Sequence, residues 1–204
     1  MDSIAAKYDK QGIVHALQTL PTKLDVSYED TMRRISEQDE ESARLAEQVL
    51  AWLTLAVRPL SVAELQHALA VRPLDPLLIS PGPSMVSLDD DSLIDEDILV
   101  SVCAGLVTIE PGSRIIRLVH YTADEYLQRT IGHRIPRAEP FLGYCCLQYL
   151  LQKRFASGAC DSDDEMENRL ATSPLLNYAG RYWGHHIQKA GKGCNELGIQ
   201  NRCL

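Results

Sequence analysis

Apolar residues recur at two different spacings along this chain, and the switch between them marks its organisation. From Ser42 to Val57 they fall at Leu45, Val49, Trp52, Leu53 and Ala56, one face of a 3.6-residue period, which predicts the strongest helix with Trp52 in a core. Arg58-Pro59-Leu60 breaks that pattern. Ser61-Val62-Ala63-Glu64 is a capping box, a hydroxyl and a carboxylate three residues apart that satisfy each other's backbone N–H, and it opens a helix through Leu65, Ala68 and Leu69. From Leu106 the spacing shortens. Leu106 to Glu110 is apolar and β-branched, Pro111-Gly112-Ser113 supplies turn chemistry, and Arg114 to His120 resumes with Ile115, Ile116 and Val119. Thr122-Ala123-Asp124-Glu125 reads as a second capping box, opening a helix over Thr122 to Thr130.

Weaker patterns flank this centre. Residues 1–11 are polar and read as frayed, and Ile13 to Leu20 predicts a short helix stopped by Pro21. Asp25 to Ile35 predicts another, with Tyr28, Met32 and Ile35 at helical spacing, followed by an acidic hinge or helix start over Glu37 to Glu41. Residues 72–94, with several prolines and the run Asp89-Asp90-Asp91, read as a long exposed loop. Asp95 then caps a helix over Glu96 to Ala104, with Ile98, Leu99, Val102 and Cys103 inward and Gly105 as its C-cap. Past the hairpin, Gly132 to Pro136 reads as a turn and Arg137 to Phe155 as a long apolar helix. Gly158 to Asp164 is a second acidic loop, Glu165 to Leu170 a short helix, and Ser173-Pro174 the start of the last helix. The fold class is mainly α: a winged helix-turn-helix with one β-hairpin, flanked by N- and C-terminal helices. The divisions are N-terminal linker helices over 1–57, the winged helix over 58–131, a C-terminal helical region over 132–190 and a disordered tail over 191–204.

Charge then argues against the usual ligand of this fold. A winged helix that reads DNA presents Arg, Lys, Asn or Gln from its second helix. Here that helix offers Asp95, Glu96 and Asp97, the wing offers only Arg114 and Arg117, and the chain carries a net charge of −8. Nucleic acid is therefore not an expected partner. No apolar run approaches the ~20 residues of a bilayer span, and the N-terminus has no signal-peptide pattern. The six cysteines show no C-x-x-C spacing, which argues against zinc, and their scatter suits a reduced, cytoplasmic setting. Neither G-x-S-x-G nor H-E-x-x-H occurs, and no nucleophile stands at readable spacing from a base, so no catalysis is expected. His185-His186 are expected to favour the negative C-terminal half of the last helix.

The segments VLAWLTLAVRPLSVAELQHALA, LVSVCAGLVTIE, RLVHYTADEYL, CCLQYLL and SPLLNYAGRYWGHH together resemble the post-NACHT region of fungal NACHT–ankyrin proteins, signal-transducing NTPases of the STAND type. The resemblance runs from about Ala16 to His186, and the module is called a GPI inositol-deacylase-type winged helix, a name that implies no deacylase activity here. In that family an NTPase core precedes the module and ankyrin or similar repeats follow. No G-x-x-x-x-G-K-[ST] occurs in the 204 residues, so a truncated relative, an excised regulatory piece or an incomplete gene model is expected. The resemblance implies a regulatory module that couples nucleotide state to domain rearrangement. It implies no cofactor on this chain, with ADP or ATP reached only through a NACHT core as partner. It also implies that His120, at the His of a Met-His-Asp motif, contacts the β-phosphate of ADP; Tyr121 stands where the motif has Asp. The residues alone leave open that His120 ends its strand and bonds locally. They leave open too that the chain is a protein-interaction adaptor with no nucleotide link; an exposed patch near Trp52 or Trp183 would support either reading.

Overall fold

The computed structural model describes residues 24–71, 93–135 and 138–190. The expected frayed start, the helix over Ile13 to Leu20, most of the acidic loop over 72–94 and the tail over 191–204 lie outside those residues. Helix α1 covers 24–36 and buries Met32 and Ile35, as their spacing predicts. Asp39 accepts from the Ser42 N–H at 3.0 Å and starts α2, Glu40–Leu55, so the acidic stretch before it is a helix start and not a hinge.

Helix α2 departs from a simple amphipathic reading. Val49, Leu50, Ala51, Trp52 and Thr54 are all buried, which leaves no solvent side in its second half. The reason is tertiary: α2, counted above with the linker helices 1–57, packs against α3, α4, α5, α6 and β3. Burying an aromatic side chain the size of Trp52 stabilises by roughly 5 kcal/mol of apolar transfer.

After Pro59 the chain forms β1, Leu60–Ser61, and then α3, Val62–Ala70. Ser61 and Glu64 make both bonds of the predicted capping box, and Arg58 grips the Glu64 carboxylate at 2.5 and 3.0 Å. Helix α4, Glu96–Ser101, is capped by Asp95 and ends three residues before the predicted end. Its hydrogen bonds tighten there to three-residue spacing, at Cys103 N–H to Val100 and Ala104 N–H to Ser101. Ala104 (φ 49°) and Gly105 (φ 88°) then reverse the chain. Leu99, Val102 and Cys103 are buried as expected, but Ile98 is half exposed because the short helix turns it outward.

Strands β2, Val107–Ile109, and β3, Ile115–Leu118, form the predicted hairpin, with Arg114 and not Gly112 in the left-handed position of its turn. The sheet has three strands in the order β1-β3-β2, all antiparallel, with Leu60 opposite Ile116 and Val107 opposite Leu118. The extra strand is β1, which reads in sequence only as a helix break. Helix, strand, helix, helix and two-stranded wing, from α2 to β3, make a winged helix.

Helix α5, Tyr121–Arg134, runs through Gly132, His133 and Arg134, where a turn was expected. The Thr122–Glu125 capping box does not form, because His120 already caps this helix two residues earlier. Helix α6 is shorter than predicted, Ala138–Leu150; Gln152 turns extended (ψ 147°) and a single 3-10 turn follows at Lys153–Phe155. Helix α7, Asp163–Thr172, is capped by Ser162 and buries no residue. Helix α8, Leu176–Ala190, packs closely along α6. A Cβ on Gly143 would lie 2.7 Å from Ile187 Cδ1, so the approach of the two helices depends on that glycine.

Two outcomes follow from this packing. Burial pushes the Cys103 and Cys146 thiols up to about 12, from an ordinary 9.0. The unfolded thiols ionise first, so stability falls as pH rises between those values, by about 1.4 kcal/mol per pH unit and thiol. Urea midpoints under reducing conditions at about pH 8 and about pH 10 will show the loss, and Cys103→Ala will shrink it. Ala104→Gly removes a left-handed non-glycine residue and is expected to raise stability by about 0.5–1 kcal/mol in the same assay.

Candidate functional site

An open groove of about 380 Å³ lies between the end of α2, the sheet and the first turns of α5. The α2 end and the turn after it contribute Trp52, Thr54, Val57 and Arg58; β3 contributes Arg117; the α5 start contributes His120, Tyr121 and Asp124. His120, singled out by the resemblance, is therefore on the groove and exposed. It sits there because β3 ends at Leu118 and the chain stays extended for one turn, with His120 at φ −146° and ψ 144° as the N-cap of α5. Its carbonyl accepts from the Ala123 N–H at 3.0 Å, and its Nδ1 accepts from the Thr122 N–H at 3.3 Å. Its ring lies 4.7 Å from that of Tyr121.

Three side chains of the groove, Trp52, Arg58 and Arg117, carry donors only. Arg117 is 61% exposed and only 3.7 Å from Glu110, a weak surface contact. Asp124 is occupied by Gln128 at 2.8 Å. Among the described residues four buried side-chain polar atoms have no hydrogen-bond partner, and two of them, Trp52 Nε1 and Thr54 Oγ1, belong to residues of this groove. Around it Val57, Val119 and Tyr121 are 42, 49 and 69% exposed. The exposed apolar surface thus surrounds the groove, while Trp52 itself is fully buried.

Among the described residues, the DNA-reading helix of the winged helix carries no cation. Helix α4 presents Glu96 and Asp97, and Arg114 on the wing is bonded to Glu96. Among the described residues no group of three His, Cys, Asp or Glu is arranged to hold a metal ion.

His186 departs from its expected place. It is fully buried, with Nδ1 3.0 Å from the Glu139 carboxylate and Nε2 2.9 Å from the Tyr178 hydroxyl; His185 is exposed. Tyr178 in turn accepts the Val57 N–H at 3.0 Å. A carboxylate only accepts, so Nδ1 carries a proton, and in the neutral ring Nε2 accepts from the Tyr178 O–H. This chain ties α6 and α8 to the turn after α2, where Val57 lines the groove. Arg58 lies 5.2 Å over the Tyr178 ring and completes the junction. Nothing in the sequence periodicity pairs Tyr178 with Val57, 121 residues away.

A family model described as the GPI inositol-deacylase winged helix domain matches residues 32–134, half of the chain, from within α1 to the end of α5. No curated protein and no solved structure matches the chain.

Tyr178→Phe keeps the ring contacts but leaves the Val57 N–H and His186 Nε2 without their partner. The variant is expected to lose about 1–3 kcal/mol of stability by urea unfolding. A loss near zero would mean that the buried chain contributes nothing to holding α8.

Proposed function

This chain belongs to the family of the GPI inositol-deacylase winged helix domain, and from that premise we propose that it is a non-catalytic regulatory module of a NACHT/STAND-type signalling NTPase. In this reading it couples nucleotide state to domain rearrangement, and its partner is a NACHT core, met in trans where the core is on another chain. The chain holds no cofactor of its own. In the ADP state of the core His120 donates from Nε2 to a β-phosphate oxygen.

The observation that carries the reading is the placing of His120. Its Nδ1 is engaged by Thr122, and its side chain lines a groove that also carries Arg58 and Arg117. An imidazole in that state donates to an oxyanion whether neutral or protonated. The acidic α4 and the bonded wing arginine favour a protein partner over nucleic acid. No helix of the described residues is long and apolar enough to cross a membrane, in keeping with a cytoplasmic partner. A second reading, an interaction adaptor with no nucleotide link, draws on the exposed Val57, Val119 and Tyr121 around the groove.

The test is ADP binding to a separately expressed NACHT core, alone and with this chain carrying His120 or His120→Ala. The native chain is expected to tighten ADP binding roughly tenfold or more, the worth of one hydrogen bond to a charged group, and the variant to lose that gain. A folded native chain with no effect on the core would remove the nucleotide link and leave the adaptor.

A further inference from the structure

His120 offers the groove one free ring nitrogen, and residues on α5 and α1 decide what that nitrogen is. Nδ1 receives the Thr122 backbone N–H at 3.3 Å, and Thr122 Oγ1 lies closer, at 2.8 Å. A backbone N–H only donates, so Nδ1 is an acceptor and the proton of the neutral ring sits on Nε2. Thr122 Oγ1 also lies 2.6 Å from the Tyr28 hydroxyl on α1. With Nδ1 accepting, the two hydroxyls align in one direction: Tyr28 donates to Thr122, and Thr122 donates to His120. Each donor in such a row polarises the next.

We infer that Tyr28 and Thr122 are positioning residues that hold His120 as a hydrogen-bond donor towards the groove, and that this donor depends on α1 being seated on α5. The seating is itself polar. Asp25 takes both arms of Arg129 at 2.8 and 3.3 Å, and Glu29 accepts from Tyr126 at 2.6 Å and from Arg134. Those hydrogen bonds, Tyr126 first and then Arg134, hold the Glu29 carboxyl below its usual range. The ring of Tyr28 lies 5.3 Å from that of Tyr126. The ligand class follows from the tautomer. A site presenting Nε2–H takes a pure acceptor such as an oxyanion and refuses a metal ion, which needs the lone pair on that nitrogen.

The inference deepens the reading of His120 as a donor to a phosphate oxygen and rests on it, but its test needs neither nucleotide nor core. Long-range proton–nitrogen correlation spectra of the histidine-labelled full chain, above the imidazole titration, report which nitrogen carries the proton; His120→Gln assigns the signal. The native chain is expected to show a single His120 tautomer with the proton on Nε2. Thr122→Val is expected to give a mixture of both tautomers, Tyr28→Phe a smaller shift in the same direction, and Thr122→Ser the native pattern. A native His120 with its proton on Nδ1 overturns the inference, and that result stands even where a variant fails to fold. Native spectra for both Thr122→Val and Tyr28→Phe overturn it as well. Should the tautomer hold while the chain leaves ADP binding to the core unchanged, the nucleotide link alone is lost.

Discussion

The structure depends on one helix whose second half has no solvent side. From Val49 to Thr54 nearly every side chain of α2 is covered, and five other elements are held in place by covering it. A helix apolar over one face needs one partner layer; one buried all round needs several. The sheet and α3 and α4 supply one set of neighbours, and α5 and α6 supply the other. The winged helix and the C-terminal helices therefore share Trp52 and its neighbours as a common core. Substitutions in α2 are felt on both sides at once, which makes the groove at its end sensitive to packing far from it.

Local chemistry was legible in the sequence, and long-range chemistry was not. The Ser61–Glu64 capping box, the Asp95 cap and the wing hairpin formed as read, because each is settled within a few residues. Strand β1 was missed because two residues carry no period; Leu60 and Ser61 become a strand only by pairing with β3. The start of α5 shows the same limit. Thr122 and His120 both fit a cap position, and the hydroxyl is drawn instead to Tyr28, 94 residues away. His186 reads as a helix-end cation but is buried, because its partners lie eight residues back on its own helix and across on α6. The candidate site was half legible. His120 stood out through the motif that its neighbourhood resembles, whereas Trp52 and Thr54 read only as core, and their unpaired donors are visible only in three dimensions.

The winged helix here keeps its architecture while its recognition helix carries two acids and no cation. Helix α4 is six residues long, acidic at its start, and tied through Glu96 to the wing. What the fold offers lies elsewhere, at the junction of α2, β3 and α5, where donors and exposed apolar residues meet. Fold and function separate at this point: the scaffold sets where the chain enters and leaves each strand, and the charge pattern decides which surface is used.

The hydrogen bond between the Val57 N–H and Tyr178 spans 121 residues, which gives it a meaning in time as well as in space. During synthesis the winged helix leaves the ribosome first. At about 5–20 residues per second its partner hydroxyl follows roughly 6–24 seconds later. For that interval the turn after α2 has a backbone donor that only water satisfies, and the surface awaiting α6 and α8 is bare. The nascent chain thus passes through a stage in which the helix that carries Trp52 lacks the cover that α6 and α8 later supply.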